Sequence, residues 1–141
     1  MYFSMIFVLL FSFFQPLQTE EEIKQLLNQK LATFELAMQN KDLDTVLSMF
    51  ESDGAYGDVK GRQEIKRVLK SYFNNDIISY SMQTEKMTLA LPLSNHTGKM
   101  AQEIVINGIL KKSNGKFRII WHQYNGIWAI QYLDIAQDNS Y

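Results

Sequence analysis

The chain has 141 residues, of which 46% are hydrophobic and 21% charged, as is typical of one globular domain with an apolar core. Its formal net charge of −1 offers no electrostatic attraction for nucleic acid, so no nucleic-acid partner is expected. The absence of cysteine excludes disulfide bonds, thiol nucleophiles, cysteine-based zinc sites and a lipid-modified cysteine.

Residues 1–18 are interpreted as a hydrophobic leader. The segment has no charged side chain, and its apolar run, residues 2–14, has the length of the hydrophobic region of a signal peptide. This run is shorter than the roughly 20 residues that a membrane span needs. No Lys or Arg precedes it and no small-residue cleavage site follows, so a helix packed on the domain or a mis-assigned start codon is the alternative.

The leader predicts export to the periplasm or the cell exterior, and a cytoplasmic location is the alternative. Contact with a membrane is expected only through the leader, and only if it is not cleaved. The domain itself is predicted over residues 19–137, and residues 138–141 form a tail.

Three helices are predicted at the start of the domain. Thr19 followed by Glu22 fits a capping box, which places the first helix start. Apolar residues then recur at helical spacing over residues 23–38, 43–50 and 65–73. The stretch FESDGAYGDVKG, residues 50–61, connects the last two helices. It is either an acidic turn or a segment that carries a carboxylate into a pocket.

Strands are predicted from Ile77 onward, where the apolar period changes from 3.6 to 2. Residues 77–91, 100–112, 116–124 and 127–135 are the predicted strands. Residues 92–99 are interpreted as a turn-rich loop and residues 113–115 as a turn. Asn125-Gly126 is the strongest short hairpin motif in the chain.

Helices that precede strands in this order predict an α+β fold with the helices on one face of a curved sheet. The strands are apolar on both faces, with Ile119 and Trp121 on one face and Ile120 and Tyr124 on the other. A sheet with one solvated face would alternate more clearly. The second face is therefore expected to meet another copy of the chain, which predicts a homodimer through the sheet.

Three stretches resemble the nuclear-transport-factor-2-like superfamily, which includes SnoaL-like polyketide cyclases and ketosteroid isomerases. They are NKDLDTVLSMFESDGAY at 40–56, GRQEIKRVLKSYF at 61–73 and INGILKKSNGKFRIIWHQYNGIWAIQYLDI at 106–135. The resemblance covers roughly residues 19–136 and implies a cone-shaped domain. Three N-terminal helices would pack on a strongly curved, mainly antiparallel sheet, a cystatin-like roll, with a pocket between helices and concave sheet. The family is often dimeric through the sheet, and its members include enzymes, binding proteins and assembly modules.

The resemblance to ketosteroid isomerases implies a general base at Asp58, eight residues after Phe50. A carboxylate in an apolar cone can take a proton from a carbon beside a carbonyl and return it nearby. The two oxyanion donors of those isomerases fall on Phe34 and near Ile120, whose side chains cannot donate. Loss of one such donor costs about 10²–10³ in rate. The alternative is that Asp58 serves the backbone geometry of a turn.

His122 is the second catalytic candidate. It would pair with Asp58 or bind substrate if its strand face is concave, and otherwise it is a hydrogen-bonded strand residue. A two-residue turn at Asn125-Gly126 would place Tyr124 opposite Ile127, away from Trp128, and a longer turn or a bulge would reverse this. Whether Trp121 or His122 faces the pocket therefore stays open.

The pocket is predicted to bind its ligand through aromatic and apolar side chains. The ligand-binding candidates are Phe34, Tyr56, Tyr72, Ile120, Tyr124, Trp128 and Tyr132. Two histidines far apart in the chain and no cysteine predict no metal site, and no motif predicts a cofactor.

The sequence favours a SnoaL-like domain that binds a small apolar ligand in the cone pocket or acts as a dimeric assembly module without catalysis. The alternative is a small-molecule isomerase, cyclase or dehydratase that uses Asp58 as general base, with His122.

Overall fold

The computed structural model describes residues 17–138, so the leader predicted at 1–18 and the tail at 138–141 lie almost entirely outside the described residues. Within this range the helices are α1 (Glu20–Gln39), α2 (Leu43–Ser48) and α3 (Arg62–Tyr72). The strands are β1 (Phe50–Tyr56), β2 (Val59–Lys60), β3 (Asp76–Ala90), β4 (Leu93–Ile106), β5 (Ile109–Tyr124) and β6 (Ile127–Gln137). The strands form one mixed sheet whose inner face carries the helices, which confirms the predicted α+β class.

Side-chain caps fix the start of the first two helices. The Oγ1 of Thr19 accepts a hydrogen bond from the backbone N–H of Glu22 at 3.2 Å, as the capping box predicts. Asp42 caps α2 by accepting from the backbone N–H and the hydroxyl of Thr45, at 3.2 and 2.6 Å. Both hydrogen bonds lower the pKa of Asp42, and the bond from the Thr45 hydroxyl has the larger effect.

The stretch 50–61 is a β-hairpin and a part of the sheet, which corrects its interpretation as a connection between helices. β1 and β2 pair antiparallel, and β1 also pairs parallel with β6, with Phe50 beside Ile130. The register shifts between Phe50 and Ala55, and this irregularity removes the alternation by which a strand is recognised. A Cβ at Gly54 would meet the Ile130 carbonyl oxygen at 2.9 Å, so a residue that normally disfavours strands is needed there.

The sheet order is β2-β1-β6-β5-β4-β3, and every neighbouring pair except β1 and β6 is antiparallel. The predicted mainly antiparallel sheet is therefore confirmed. The helices do not all precede the strands, because β1 and β2 lie between α2 and α3. The guanidinium of Arg62 at the start of α3 donates to the Phe50 carbonyl at 2.6 and 3.1 Å, which joins α3 to β1.

Two Asn-Gly turns define the hairpins on either side of β5. Asn107 and Gly108 have φ of 51° and 77°, and Asn125 and Gly126 have φ of 49° and 76°, as tight hairpin turns require. The turn at Asn125-Gly126 was predicted, and the two-residue spacing places Tyr124 opposite Ile127. The open question of register is thereby answered: the Trp121 side chain is fully buried on the inner face, and His122 lies on the outer face.

Two predicted loops are strand segments. Residues 113–115 lie within β5, where Gly115 pairs with Gln137, because the turn forms at the preceding Asn-Gly pair. A Cβ at Gly115 would meet the Ala136 carbonyl oxygen at 2.4 Å, so this glycine allows close approach of two strands. Residues 93–99 belong to β4, and the strand was not predicted there because the segment has the polar composition of a loop.

The core lies between the helices and the inner face of the sheet. Its fully or almost fully buried members include large side chains from every layer: Leu27, Phe34, Met38, Phe50, Ile65, Leu69, Ile119, Trp121, Ile130 and Leu133. Burial of each such side chain contributes about 1.5–3 kcal/mol to folding. The interior is therefore filled mainly by the protein's own side chains.

His96 lies fully buried in this core and joins four elements by hydrogen bonds. The indole N–H of Trp121 on β5 donates to Nδ1 of His96 on β4 at 3.2 Å, so the imidazole proton lies on Nε2. The Nε2–H donates to the hydroxyl of Thr84 on β3 at 2.7 Å, and this hydroxyl donates to Oδ1 of Asn28 on α1 at 2.8 Å. The chain of bonds requires a neutral His96.

Stability is expected to fall in acid because of His96. Burial lowers its pKa to about 4, whereas an unfolded histidine titrates near pH 6.5. Between these values the unfolded chain binds more protons, so the free energy of unfolding falls as pH falls, by at most about 1.4 kcal/mol per pH unit. Urea unfolding from about pH 7 to about pH 5 measures this slope, before most carboxylates titrate.

The His96→Gln variant is expected to be less stable at neutral pH but to show a smaller slope than the wild type. A Thr84→Val variant, which removes one partner and keeps the imidazole, should retain most of the slope. Equal slopes in the wild type and in His96→Gln would contradict the buried neutral state of His96.

Candidate functional site

A cavity of about 230 Å³ lies where α3, β1 and β6 end, and we call it the tyrosine pocket. Three tyrosines from different elements face it: Tyr56 at the end of β1, Tyr72 at the end of α3 and Tyr80 on β3. Its complete lining is Tyr56, Gly57, Tyr72, Tyr80, Met100, Gln102, Asp134, Ile135 and Gln137. The pocket thus lies between α3 and the sheet.

A chain of hydrogen bonds fixes one side of the tyrosine pocket. The hydroxyl of Tyr72 donates to Oε1 of Gln102 on β4, and Nε2 of Gln102 donates to the hydroxyl of Ser113 on β5 at 3.0 Å. Gln102 is only 6% exposed, and a buried amide of this kind is stable only when both its ends are paired. The hydroxyl proton of Tyr72 is therefore already used within the protein.

Tyr80, a residue of the tyrosine pocket, has an unpaired hydroxyl that is buried. Its side chain is 2% exposed, and its oxygen has no hydrogen-bond partner among residues 17–138. A buried polar group without a partner costs about 1–3 kcal/mol. Most buried polar groups in proteins are paired. Three buried side-chain atoms in this part of the chain are not, namely the Tyr80 hydroxyl, Ser94 Oγ and Trp128 Nε1, and of these residues Tyr80 lines the pocket.

The tyrosines of the pocket are neutral donors at physiological pH. Burial, and secondarily the carboxylate of Asp134, raises the pKa of Tyr56 to about 12. Burial likewise raises the pKa of Tyr72 and that of Tyr80, with smaller contributions from the neighbouring tyrosines. Glu35 on α1 also raises the pKa of Tyr80, and partial burial raises the pKa of Glu35 itself.

A second cavity, of about 490 Å³, lies on the outer face of the sheet, and we call it the outer groove. Its lining is Glu51, Ser52, Asp53, His122, Tyr124, Ile127, Ala129 and Gln131. Nδ1 of His122 on β5 contacts the carboxylate of Glu51 on β1. Their side chains are 27% and 19% exposed, so this pair is partly shielded from solvent.

Asp58 lies at the exposed turn between β1 and β2, next to Gly57. It does not line the tyrosine pocket or the outer groove. The expected pairing with His122 is also not observed, since His122 pairs with Glu51. The hairpin places Asp58 at its tip, as the turn alternative expects, and the role of Asp58 as a general base stays a prediction.

The predicted ligand-binding residues separate into three groups. Tyr56 and Tyr72 line the tyrosine pocket, and their role stays a prediction. Phe34 and Trp128 are buried in the core and line neither cavity, because the side chains of the interior fill the space around them. Three further candidates, Ile120, Tyr124 and Tyr132, lie on the outer face, where the alternation of β5 and the shift in register on β6 direct them.

Gln102 and Glu51 are site residues that the sequence analysis missed. Gln102 lies on the inner face of β4 between Met100 and Ile104, which also point inward. A polar residue at an apolar position of the alternation is the signal by which it could have been found. Glu51 gave no such indication, because its neighbour His122 is distant in sequence and the two meet only through the sheet order.

The outer face is not uniformly apolar. Tyr124 and Ile127 are 70% and 68% exposed there, whereas Lys99 and Lys116 lie opposite each other further along β4 and β5. The homodimer through this face stays a prediction, and the lysines reduce the apolar area available for it.

The described residues contain neither a metal-binding cluster nor a membrane-spanning helix. Among residues 17–138, no group of three or more His, Asp or Glu side chains is arranged to hold a metal ion. In the same part of the chain, none of the helices has the length and apolar character needed to cross a membrane.

No protein-family model and no curated protein matches the chain in sequence. Its structure resembles that of a protein of unknown function with a cystatin-like fold from Nostoc punctiforme, at 18% identity and a TM-score of 0.71, over 86% of this chain and 95% of that one. It also resembles a ketosteroid isomerase-like protein from Erwinia carotovora atroseptica. The identity is 11% and the TM-score 0.76, over 86% of this chain and 100% of that one.

A third similar structure is a nuclear transport factor 2-like protein of unknown function from Shewanella oneidensis. It is 13% identical, with a TM-score of 0.67, over 80% of this chain and 98% of that one. At these identities the likeness shows the fold alone. The chain has the cystatin-like, nuclear transport factor 2-like fold, as the sequence resemblance implied.

Replacing Gln102 by Leu is expected to lower the free energy of unfolding by about 1–3 kcal/mol. The substitution leaves the hydroxyls of Tyr72 and Ser113 without the partner that they have in the wild type. Urea unfolding of Tyr72→Phe, Gln102→Leu and the double variant forms a double-mutant cycle. A coupling energy of about 0.5 kcal/mol or more between the two positions is expected, and purely additive losses would contradict the hydrogen bond.

Proposed function

We propose that the protein binds a small neutral compound in the tyrosine pocket and does not convert it there. The compound would have an apolar body and one hydrogen-bond acceptor, such as a carbonyl or ether oxygen. The observation that carries this proposal is that Tyr80 lines the pocket and its buried hydroxyl has no hydrogen-bond partner among residues 17–138. A ligand acceptor at this hydroxyl would remove the cost of leaving it unpaired.

The chemistry of the pocket favours a neutral acceptor over an anion. The raised pKa values of Tyr56 and Tyr80 keep both side chains as hydroxyls, which can donate to a carbonyl oxygen. Asp134 is also a residue of the pocket lining, and its charge, which acts on Tyr56, disfavours an anionic ligand. Met100 and Ile135 supply apolar surface for the body of the ligand.

The size of the pocket limits the ligand. Ligand sites for drug-sized molecules typically have volumes of about 300–1,000 Å³, and the tyrosine pocket has about 230 Å³. A compound with a single ring is therefore the expected size. A ligand this small is expected to bind with a Kd on the order of 1 mM.

The alternative function, an isomerase, cyclase or dehydratase with Asp58 as base, has less support. Asp58 is exposed at the β1–β2 turn and does not reach the tyrosine pocket. The likeness to the ketosteroid isomerase-like protein concerns the fold, at 11% identity. The base that this alternative names, Asp58, is therefore not placed to take a proton from the carbon of a ligand in the pocket.

The proposal is tested with cyclohexanone as the probe and with methylenecyclohexane, which has a similar shape but no oxygen, as the matched control ligand. Binding is followed by chemical-shift titration of the backbone amides. We expect cyclohexanone to shift residues around the pocket and to bind more tightly than the hydrocarbon. The Tyr80→Phe variant should bind cyclohexanone about tenfold more weakly, because it lacks the donor, and should bind methylenecyclohexane unchanged.

Stability supplies a second measurement on the same variant. Removing an unpaired buried hydroxyl is expected to leave the free energy of unfolding unchanged or to raise it by about 1 kcal/mol. Tyr132→Phe on the outer face and Asp58→Asn at the turn are control variants, and neither should alter binding. Equal binding of cyclohexanone by Tyr80→Phe and the wild type would overturn the proposal.

A further inference from the structure

The outer groove holds a histidine whose orientation is set by a carboxylate. Nδ1 of His122 faces the Glu51 carboxylate, and this contact places the imidazole proton on Nδ1. Nε2 then carries the lone pair that this contact does not use. A carboxylate that holds one nitrogen while the other is free is the arrangement in which histidine acts as a general base.

We propose that the outer groove is a hydrolytic site for small uncharged esters, in which His122 takes a proton from a water molecule. The proposal does not depend on the function of the tyrosine pocket, because the groove lies on the opposite face of the sheet and shares no residue with it. His122 is the catalytic residue, and Glu51 is a positioning residue that acts through it.

The surroundings of His122 select this type of reaction. The groove is open to solvent, so water is always available as the nucleophile, whereas chemistry through a carbanion requires that water be excluded. Glu51 and Asp53 give the groove negative charge, which disfavours anionic substrates. The side chains of Tyr124 and Ile127 lie opposite each other and are largely exposed, so they offer an apolar wall to an aryl or alkyl group.

The reaction needs no group beyond those in the groove and the water. The oxygen of water bonds to the ester carbonyl carbon while Nε2 of His122 takes one of its protons. The bond between that carbon and the alcohol oxygen then breaks, and the alkoxide takes the proton back from Nε2. The products are a carboxylic acid and an alcohol, and no electrons are exchanged with another molecule.

Other residues of the groove can assist the reaction. Glu51 stabilises the imidazolium that forms between the two proton transfers. The hydroxyl of Ser52 and the side-chain amide of Gln131 line the groove and are the donors available to the developing oxyanion.

The test measures release of p-nitrophenolate from p-nitrophenyl acetate by the full chain. We expect saturable kinetics, because a groove binds the ester, whereas imidazole in solution gives a rate that rises linearly with ester concentration. His122→Gln is expected to lower kcat/KM by about 10²-fold or more. Mono-p-nitrophenyl succinate carries a negative charge, and we expect the protein to hydrolyse it about tenfold more slowly than p-nitrophenyl acetate.

Variants of Glu51 distinguish positioning from a structural role. Glu51→Gln is expected to lower kcat about tenfold with little change in KM, and Glu51→Asp is expected to recover part of the loss, because it restores the charge. Lys70→Ala on α3, an exposed residue that lines neither cavity, is the control variant and should leave the kinetics unchanged. Failure of Glu51→Asp to exceed Glu51→Gln would overturn the assigned role of Glu51.

A further variant keeps the proposal testable if His122→Gln does not fold. Tyr124 is 70% exposed, so Tyr124→Ala is not expected to disturb the core, and it should raise KM for the aryl ester several-fold. Circular dichroism and thermal unfolding establish that each variant is folded. A linear rate without saturation, or a folded His122→Gln variant with wild-type activity, would overturn the proposal.

Discussion

The neutral imidazole of His96 is the polar contact on which the packing of this protein most depends. It lies in an otherwise apolar interior, and its two nitrogens join β5, β4, β3 and, through Thr84, α1. A buried polar group in such a place is stable only when every one of its hydrogen bonds is formed. Hydrophobic contact alone does not select one orientation of α1 on the sheet. The hydrogen bonds from His96 through Thr84 to Asn28 are directional, so they help to fix that orientation.

The two faces of the sheet differ in chemistry. On the inner side, the tyrosine pocket offers mainly tyrosine hydroxyls and apolar side chains beside Asp134, whereas the outer groove offers the carboxylates of Glu51 and Asp53 and the imidazole of His122. Adjacent residues of β5 serve the two sides, since Trp121 supports His96 in the core and His122 faces the groove. A shift of one residue in the register of β5 would exchange these positions and disturb both sides at once.

Local patterns predicted the parts of the fold that local interactions determine. The cap at Thr19, the helical stripes and the turn at Asn125-Gly126 depend on residues close together in the sequence, and all three agree with the structure. The hairpin at 50–61 was not predicted, because Gly54 and the register shift in β1 remove the strand pattern. The position of His96 was also hidden, since the start of β4 has the composition of a loop.

The candidate sites were harder to predict, because their residues meet through long-range pairing. Tyr56 and Tyr72 were predicted as aromatic side chains of a pocket, but the partner of Tyr72 is Gln102 from a distant strand. The contact of Glu51 with His122 requires β6 to lie between β1 and β5, and no pattern within either strand states this order.

The parallel pairing of β1 with β6 also constrains when the protein can fold during synthesis. Phe50 on β1 pairs with Ile130 on β6, so β1 cannot form this pairing until β6 has left the ribosome. Until then the buried side of β1 and the apolar faces of α2 and α3 have no sheet to cover them. The growing chain therefore exposes these apolar surfaces until β6 has been synthesised.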